Sequence, residues 1–437
     1  MENNIQSKMP IIEFNVLFLQ KIHKSMILNL SFSNYRSFKG ECSFTTEPTA
    51  SKAKMNNLCE VDTQAEGVKQ ALKISLIFGA NASGKTNIIK FMYGFRRWVL
   101  NLGNGVGENI QLYDPFKFDK ATAEKPTDFS IEFIVDKVRY KYDLSFDRQQ
   151  IITEELNYYP KGKVTNLYKR IVDSDADTHS IKLGSYIKSG IKPFKVFKNQ
   201  LLISKFRSDT PCENITNVAK YFADMVISNG YHEDFNLGVD KEMFKWLSDN
   251  PEYKAMLSEL LAFADTGMKD FQLEKRNDGL EVKSLHAIYD NGKIGGQADL
   301  ALKDESFGTR GLFVIGCHIL RSLHNGTPFF VDEIDSGLHT YITTLIVDMF
   351  RNKRINKHGS QLIFTTHDVN QLNNEFVRKD QVWFVEKDEY GKSELFSLSD
   401  FEDVREETPF DKWYMNNKFG GVPTLKSLEN LFSDGKE

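Results

Sequence analysis

The residues most suited to chemistry in this sequence form the pattern G-x-x-x-x-G-K-[ST]. They run from Gly79 to Thr86, directly after the apolar stretch 72–78 and before the helical periodicity of 87–102. In such a strand–loop–helix arrangement, the glycines let successive backbone N–H groups face a phosphate. The lysine bridges the outer phosphate oxygens, and the threonine can ligate Mg²⁺. The helix N-terminus also favours an anion. The pattern predicts a nucleoside triphosphate site formed by Gly79, Asn81, Ser83, Gly84, Lys85, Thr86 and Asn87.

Two adjacent carboxylates follow an apolar stretch in the second half of the chain. Residues 327–332 read as a short strand that ends in Asp332, and Glu333 follows at once. An acid in this position can hold Mg²⁺ beside the phosphates, and a second carboxylate can polarise the attacking water. The pair therefore predicts a metal ligand at Asp332 and a catalytic base at Glu333. A helix N-cap followed by a first-turn acid is the structural alternative.

A histidine ends another predicted strand. The β-rich stretch 362–366 leads directly to His367, and an imidazole in that position could contact a γ-phosphate. A lone histidine at the end of a strand is otherwise an ordinary surface residue.

A second polar turn precedes a predicted helix at 312–323. The turn spans residues 305–311 and contains Ser306 and Gly308. Its serine hydroxyl and backbone N–H groups would form an anion-binding helix start, separate from the one at Gly84.

These motifs, in this order, resemble those of the ABC-class ATPases, in particular the SMC-like and OLD-like branch and its AAA15/AAA21 group. The resemblance covers most of the chain from Met26 onward. It implies catalytic roles for Lys85, Glu333 and His367, the last of which matches the switch histidine. The sequence SFGTR at 306–310 corresponds to the signature motif, although it departs from the transporters' LSGGQ.

In this family the signature turn reaches across a dimer to the nucleotide held by the other subunit. The resemblance therefore implies that Ser306 and Gly308 complete the site of a second copy. Asp335, in the stretch 334–339 that corresponds to the D-loop, would touch the opposite site as well. ATP and Mg²⁺ are the implied cofactors, and a homodimer with composite sites, or a larger assembly of such dimers, is the implied state.

The N-terminal part of the resemblance concerns the segment Asn34 to Phe38, which is similar to the N-F-R-S-F opening of SMC-like ATPases. In those relatives the arginine and serine lie near the nucleotide, so Arg36 and Ser37 become candidate ligands. A strand-ending turn with an exposed arginine is the alternative. Gln111 stands in the region expected for the Q-loop and is the corresponding candidate metal ligand.

The two halves of the predicted site lie at opposite ends of the sequence, so the nucleotide core must be discontinuous. We predict an α/β fold: an ABC-type P-loop NTPase head, with a mixed sheet core and an antiparallel β lobe, interrupted by a mainly helical lid. The expected boundaries are an N-terminal extension at 1–25, the first part of the head at 26–160, the helical insertion at 161–267 and the second part of the head at 268–437.

The periodicity of the sequence predicts the elements that build these parts. Outside the motifs, we expect strands at 128–135, 138–147, 151–159, 381–386 and 393–398. We expect helices at 214–229 and 250–264. A hairpin of 268–275 with 280–289 is expected to return the chain to the core. OLD nucleases carry a Toprim nuclease domain after the position that corresponds to His367, and we expect no such domain here.

Composition narrows the choice of partners. The chain has 56 Lys and Arg against 60 Asp and Glu, a net charge of −4, which is no global footprint for a phosphate polymer. Nucleic acid stays among the candidate partners because 192–198 interleaves lysines with aromatics, although a solvated strand explains that segment too. Four scattered cysteines and the lack of a long apolar run indicate a cytoplasmic protein with no membrane partner.

The resemblance also implies a function. Stand-alone ATPases of this group are similar to components of bacterial anti-phage systems, among them RloA/AbiLi-like proteins and the ATPase of the PARIS system. The expected role is a dimeric ATP-hydrolysing switch that responds to a phage-derived trigger and controls a separate nuclease or toxin effector. A DNA-repair or chromosome-maintenance ATPase that clamps DNA is the alternative, and a transporter subunit is the third.

Overall fold

The computed structural model describes residues 25–61, 63, 68–101, 105, 107–173, 178–187, 196–208, 212–228, 241–276 and 279–423. The predicted N-terminal extension up to residue 24, most of the segment 192–198 and the turn at 277–278 lie outside these ranges. The described residues pack as two compact units. The smaller unit contains 241–320, and the larger unit contains the remaining described residues.

The strands of the described residues, in chain order, are β1 (Ser25–Ser33), β2 (Cys42–Thr45), β3 (Leu58–Glu60), β4 (Gln70–Leu72), β5 (Ile74–Gly79), β6 (Thr127–Val135), β7 (Val138–Phe146), β8 (Ile151–Tyr159), β9 (Thr165–Asp173), β10 (Thr178–Leu183), β11 (Val226–Ser228), β12 (Met268–Arg276), β13 (Gly279–Asp290), β14 (Lys293–Ala301), β15 (Phe329–Val331), β16 (Leu362–Thr365), β17 (Val382–Lys387) and β18 (Ser393–Ser397). The α-helices are α1 (Lys85–Val99), α2 (Leu202–Ser208), α3 (Glu213–Asp224), α4 (Lys241–Asp249), α5 (Pro251–Phe263), α6 (Phe307–Asn325), α7 (Thr340–Arg351) and α8 (Phe410–Met415). Short 3-10 helices lie at Met55–Asn57, Leu302–Asp304, Val369–Leu372, Lys379–Gln381 and Leu398–Asp400.

A six-stranded mixed sheet forms the centre of the larger unit, in the order β11-β15-β16-β5-β17-β18. The first five strands are parallel, and only β18 runs the other way. Strands β5, β15 and β16 are buried along their whole length, which explains their continuous apolar sequences. Because these three strands are parallel neighbours, their last residues lie at the same edge of the sheet. These residues are Gly79, Val331 and Thr365.

A seven-stranded antiparallel sheet forms the second layer, in the order β10-β9-β8-β7-β6-β1-β2. The predicted strands β6, β7 and β8 are confirmed, and the turn between β6 and β7 has positive φ at Asp136 and Lys137, as a tight hairpin requires. The α/β class, the mixed core and the antiparallel lobe are therefore confirmed.

The predicted helical insertion at 161–267 is wrong in its first part. Strands β9 at 165–173 and β10 at 178–183 extend the antiparallel sheet beyond β8. The alternation of β9 was hidden because one of its inward positions holds Arg170, which is fully buried beside the inward Tyr168. A buried arginine makes a core-facing strand read as a polar segment.

The predicted helix at 214–229 is wrong at its C-terminal end. Helix α3 ends at Asp224, and Val226 to Ser228 form β11 at the edge of the mixed sheet, parallel to β15. The β-branched pair Val226 and Ile227 favours this pairing. The apolar face of α3 packs against α1, where Phe222 contacts Phe95 at 5.0 Å between ring centres.

The smaller unit contains helices α4 and α5, the start of α6 and a three-stranded antiparallel sheet in the order β12-β13-β14. The predicted hairpin is confirmed as β12 and β13. It belongs to this unit and does not rejoin the central sheet, so the predicted boundary at 268 is wrong. Strand β14 was not predicted because it holds Gly295 and Gly296 and is exposed along nearly all of its length.

A buried ionic network joins the antiparallel sheet to the start of α2. The Glu154 carboxylate accepts hydrogen bonds from the hydroxyls of Tyr142 and Tyr168, at 3.0 and 2.9 Å, and from the backbone N–H of Leu202, at 2.8 Å. Arg170, also fully buried, lies 3.5 Å from the same carboxylate. Both oxygens of Glu154 are thus used, which is the condition for a buried charge to be tolerated.

We predict that Glu154→Gln lowers the free energy of unfolding by about 3–5 kcal/mol, because the buried Arg170 loses its counter-ion. Urea unfolding of the purified protein measures this change. The matched control is Glu155→Gln, on the other face of the same strand, where the partner Lys169 is nearly half exposed. Its expected cost is below about 1 kcal/mol. Equal effects of the two substitutions would contradict the structural role of Glu154.

Candidate nucleotide site

The loop between β5 and α1 has the curvature that the sequence pattern predicts. Gly79 and Gly84 have φ of 155° and 119°, and Ala82 between them has φ of 62°. A Cβ atom added to Gly84 would lie 2.6 Å from the Ser393 hydroxyl oxygen and 2.7 Å from that of Ser37. Both the backbone conformation and the close contacts therefore require glycine at this position.

The loop contains an unsatisfied buried donor. The Ser83 hydroxyl is buried and has no hydrogen-bond partner among the described residues. The Ser83 carbonyl, in contrast, accepts a hydrogen bond from the Ser393 hydroxyl of β18. Helix α1 begins at Lys85, so its first N–H groups also face the loop. An unmet donor beside a helix N-terminus fits a phosphate oxygen.

Lys85 is buried in the centre of this loop. Its ammonium donates to the carbonyl oxygens of Gly79 and Ala80, at 2.8 and 3.0 Å. Burial lowers the pKa of Lys85 to about 8, and the nearby carboxylates of Asp332 and Glu333 oppose this shift. The predicted phosphate lysine and the predicted acidic pair therefore lie within electrostatic reach of one another.

Asp332 lies directly after β15 and is almost completely buried. The Thr365 hydroxyl donates to its Oδ1 at 2.6 Å. Burial raises the pKa of Asp332, and hydrogen bonds from the hydroxyls of Thr365 and Thr86 counteract that rise. Thr86 and Asp332 are thus together, as the sequence predicts for a Mg²⁺ site.

The donor set fits Mg²⁺ held jointly with phosphates. Within the described ranges, no three His, Cys, Asp or Glu side chains group as a metal cage. Mg²⁺ commonly binds one or two protein oxygens and completes its shell with phosphate oxygens and water. A hydroxyl and one carboxylate, as provided by Thr86 and Asp332, match that mode of binding.

Glu333, Asp335 and His367 surround the same edge of the sheet. Glu333 has φ of 49°, a left-handed conformation that is strained for a non-glycine residue and is frequent at functional sites. The backbone N–H of His367 donates to Asp335 Oδ2 at 3.2 Å. Partial burial and the Lys85 charge lower the pKa of His367, which favours a neutral imidazole at pH 7. Asp335 Oδ1 is buried and has no partner among the described residues.

The N-terminal candidates also lie beside the loop. Asn87, in the first turn of α1, donates to the Ser37 hydroxyl at 2.8 Å and accepts from Arg36 at 3.4 Å. Arg36 also forms an ion pair with Asp114 at 3.2 Å. This pair anchors the segment that contains Gln111, which is exposed, but the role of Gln111 as a metal ligand stays a prediction.

Ser306 and Gly308 belong to the smaller unit. Helix α6 begins at Phe307, five residues earlier than predicted, and the Ser306 hydroxyl accepts from the backbone N–H of Thr309 at 3.1 Å as its N-cap. Glu305, the preceding residue, accepts from the Ser284 hydroxyl and lies 2.6 Å from His286 Nε2. These contacts fix the N-terminus of α6 against β13.

Two residues of the site were missed by sequence reasoning, Thr365 and Ser393. Thr365 was inside a predicted strand, and its place next to Asp332 becomes visible only when β15 and β16 are known to be neighbours. Ser393 begins β18, and nothing in its local sequence indicates the contact with the loop. The order of the strands in the sheet was the missing information.

Comparison with known families adds an independent result. Residues 74–189 and 229–373, more than half of the chain, match the family described as "AAA domain, putative AbiEii toxin, Type IV TA system". The chain belongs to this family. The matched regions include the loop at 79–86, the turn at 306, the acidic pair and His367. A P-loop ATPase domain is therefore established for this chain.

A search of curated proteins found no match. Among solved structures, the SMC head domain from Thermotoga maritima is 15% identical, covers 85% of this chain and 98% of its own, and has a TM-score of 0.36. The Smc head domain with a coiled coil and joint from Pyrococcus yayanosii is 12% identical, covers 90% and 99%, and has a TM-score of 0.41. These values are too low for activities or partners to be carried over to this chain.

We predict that Gly84→Ala weakens ATP binding by about 5- to 150-fold, the equivalent of about 1–3 kcal/mol of backbone strain. Titration with a fluorescent ATP analogue measures this loss. Gly40→Ala is the matched control, because the nearest neighbour of an added Cβ there is 4.0 Å away. Unchanged affinity in the Gly84 variant would contradict the assignment of this loop.

Proposed function

We propose that this protein is an ATP-hydrolysing switch that acts as a homodimer and controls a separate effector protein. The observation that carries the proposal is the meeting of Lys85, Asp332, Glu333 and His367 at the end of three adjacent parallel strands. Burial lowers the pKa of Lys85 and raises that of Asp332, and both shifts favour the neutral form of the group. Shifted pKa values of this kind are frequent at functional sites.

Each group has a role that its position supports. Lys85 and the N–H groups at the start of α1 bind the phosphates, and Thr86 and Asp332 would hold Mg²⁺, which neutralises charge on the phosphate oxygens. Glu333 accepts the proton of the attacking water, and His367 contacts the γ-phosphate. Arg36, Ser37 and Asn87, which contact one another beside the loop, are the further candidate nucleotide ligands.

The composite nature of the site is part of the proposal. Ser306 caps a 19-residue helix, and the exposed serine with its adjacent N–H groups would bind the γ-phosphate of a nucleotide held by a second copy. Asp335, whose carboxylate accepts a hydrogen bond from the backbone N–H of His367, would approach the same interface. Bound ATP would then close the dimer, and hydrolysis would release it.

The identity of the effector rests on the family. Its description names a putative AbiEii toxin and a type IV toxin–antitoxin system, and this supports a toxin or nuclease as the controlled partner. We place the switch in bacterial anti-phage defence, with a phage-derived trigger, in the cytoplasm. All four cysteines are thiols rather than disulfides, which suits a reducing compartment. No helix of the described residues has both the length and the apolar character of a membrane span.

The competing function is a DNA clamp for repair or chromosome maintenance. Gel shifts with duplex DNA, with and without ATP, separate the two. Strong, salt-sensitive binding by the isolated chain would favour the clamp, because phosphate contacts release counterions. Co-purification of the chain with a toxin or nuclease from phage-challenged cells would favour the switch.

We predict that Lys85→Ala abolishes ATP binding, whereas Glu333→Gln retains ATP, lowers turnover by about 100- to 10,000-fold through loss of the base and accumulates as a closed dimer. Nucleotide titration, phosphate release and light scattering measure the three properties. A Glu333→Gln variant that hydrolyses ATP at the parental rate would exclude Glu333 as the base.

We also predict complementation between two inactive variants. Lys85→Ala removes one half of each composite site, and Ser306→Arg blocks the other half while sparing ATP binding to a lone subunit. In an equimolar mixture, half of the dimers would be mixed, and each would keep one intact site, so activity should recover to about a quarter of the parental value. No recovery, or full activity in a strictly monomeric parent, would contradict the composite site.

A further inference from the structure

Thr365 is the last residue of β16, the strand that lies between the strand of the phosphate loop and the strand of the acidic pair. Its side chain is completely buried. None of the motifs that define the site includes it. Its position nevertheless places a hydroxyl group at the edge of the sheet where the candidate site lies, between the phosphate loop and the acidic pair.

The hydroxyl of Thr365 makes two hydrogen bonds of opposite sense. It donates to Asp332 Oδ1 at 2.6 Å, and it accepts from the backbone N–H of Glu333 at 2.7 Å. The Thr365 carbonyl accepts from the N–H of Ile334 at 3.1 Å. One residue of β16 therefore fixes three consecutive residues after β15.

These contacts account for the unusual backbone at Glu333. A left-handed conformation at a glutamate persists only when its surroundings determine it. Here Thr365 accepts from the backbone N–H groups of Glu333 and of the following Ile334, which flank the Glu333 Cα atom. The hydroxyl of Thr365 also donates to the carboxylate of the preceding Asp332. The bond from the hydroxyl also occupies one oxygen of Asp332 and so sets the orientation of its carboxylate.

We propose that Thr365 is a positioning residue for hydrolysis, whose hydroxyl orients the metal-binding carboxylate of Asp332 and the backbone of Glu333 at the same time. This inference rests on the proposed ATPase function. Only a hydroxyl can donate and accept in this way at the end of a buried strand, so serine preserves the role and valine, which has nearly the same shape as threonine, removes it.

The test compares Thr365→Val with Thr365→Ser. Loss of an outer-shell partner of this kind reduces metal affinity or activity by about 10- to 100-fold. We expect Thr365→Val to lower kcat by this factor, to raise the Mg²⁺ concentration for half-maximal binding of a fluorescent ATP analogue, and to leave binding of the analogue in EDTA unchanged. Thr365→Ser should stay within about threefold of the parent in each property, since it keeps the hydroxyl.

Thr343→Val is the matched control. Thr343 lies in α7, is as fully buried as Thr365, and its hydroxyl has no hydrogen-bond partner among the described residues. The same change of threonine to valine there should leave kcat and the Mg²⁺ dependence unchanged. If Thr365→Val does not fold, Thr365→Ala replaces it. Alanine lacks both the hydroxyl and the methyl group, so its comparison with Thr365→Ser, which lacks only the methyl group, isolates the hydroxyl.

The outcomes separate this inference from the function on which it rests. If the Thr365→Val protein has the parental kcat and the parental Mg²⁺ dependence, the positioning role is overturned and the proposed ATPase function is not. A Thr365→Ser protein as defective as Thr365→Val would also overturn it, because packing of the methyl group would then be responsible. A parent that neither binds nor hydrolyses ATP would overturn both.

Discussion

The structure of the candidate site depends on one constraint, the parallel alignment of β15, β16 and β5. Because the three strands run in the same direction, the chain leaves the sheet three times at one edge. The loop at 79–86 follows β5, the acidic pair follows β15, and His367 lies two residues after the end of β16. Charged groups that are hundreds of residues apart in sequence are thereby held together in a largely buried place, where burial acts against the charge of both Lys85 and Asp332.

Two kinds of buried polar group can be distinguished in the larger unit. Both oxygens of Glu154 are used by hydroxyl, backbone and guanidinium donors, and this network connects two parts of the scaffold. At the sheet edge, by contrast, the Ser83 hydroxyl and Asp335 Oδ1 are buried without partners among the described residues. Unsatisfied buried groups cost stability, and a ligand that supplied the missing partners of these two atoms would recover that cost.

The sequence predicted which residues meet at this edge of the sheet better than it predicted the bounds of the surrounding elements. The loop at 79–86, the acidic pair and His367 were found because phosphate chemistry demands particular residues at particular spacings. The strands at 165–173 and 178–183 were read as part of a helical insertion because Arg170 is buried in an ion pair. Strand β11 was read as the end of a helix because its pairing with β15 is a tertiary contact. Thr365 and Ser393 were missed for a related reason, since their roles depend on which strands are neighbours.

The smaller unit has its own packing, and this packing determines the position of the turn that contains Ser306. Phe271 of β12 packs edge-on against Phe313 of α6, with ring centres 4.9 Å apart, and Gly316 lies so close to Leu257 that a Cβ atom would come within 2.7 Å of it. Together with the hold of Ser284 and His286 on Glu305, these contacts join α6 to both the sheet and the helices of the unit. The position of Ser306 therefore depends on the three-stranded sheet, through the contacts of β13 with Glu305.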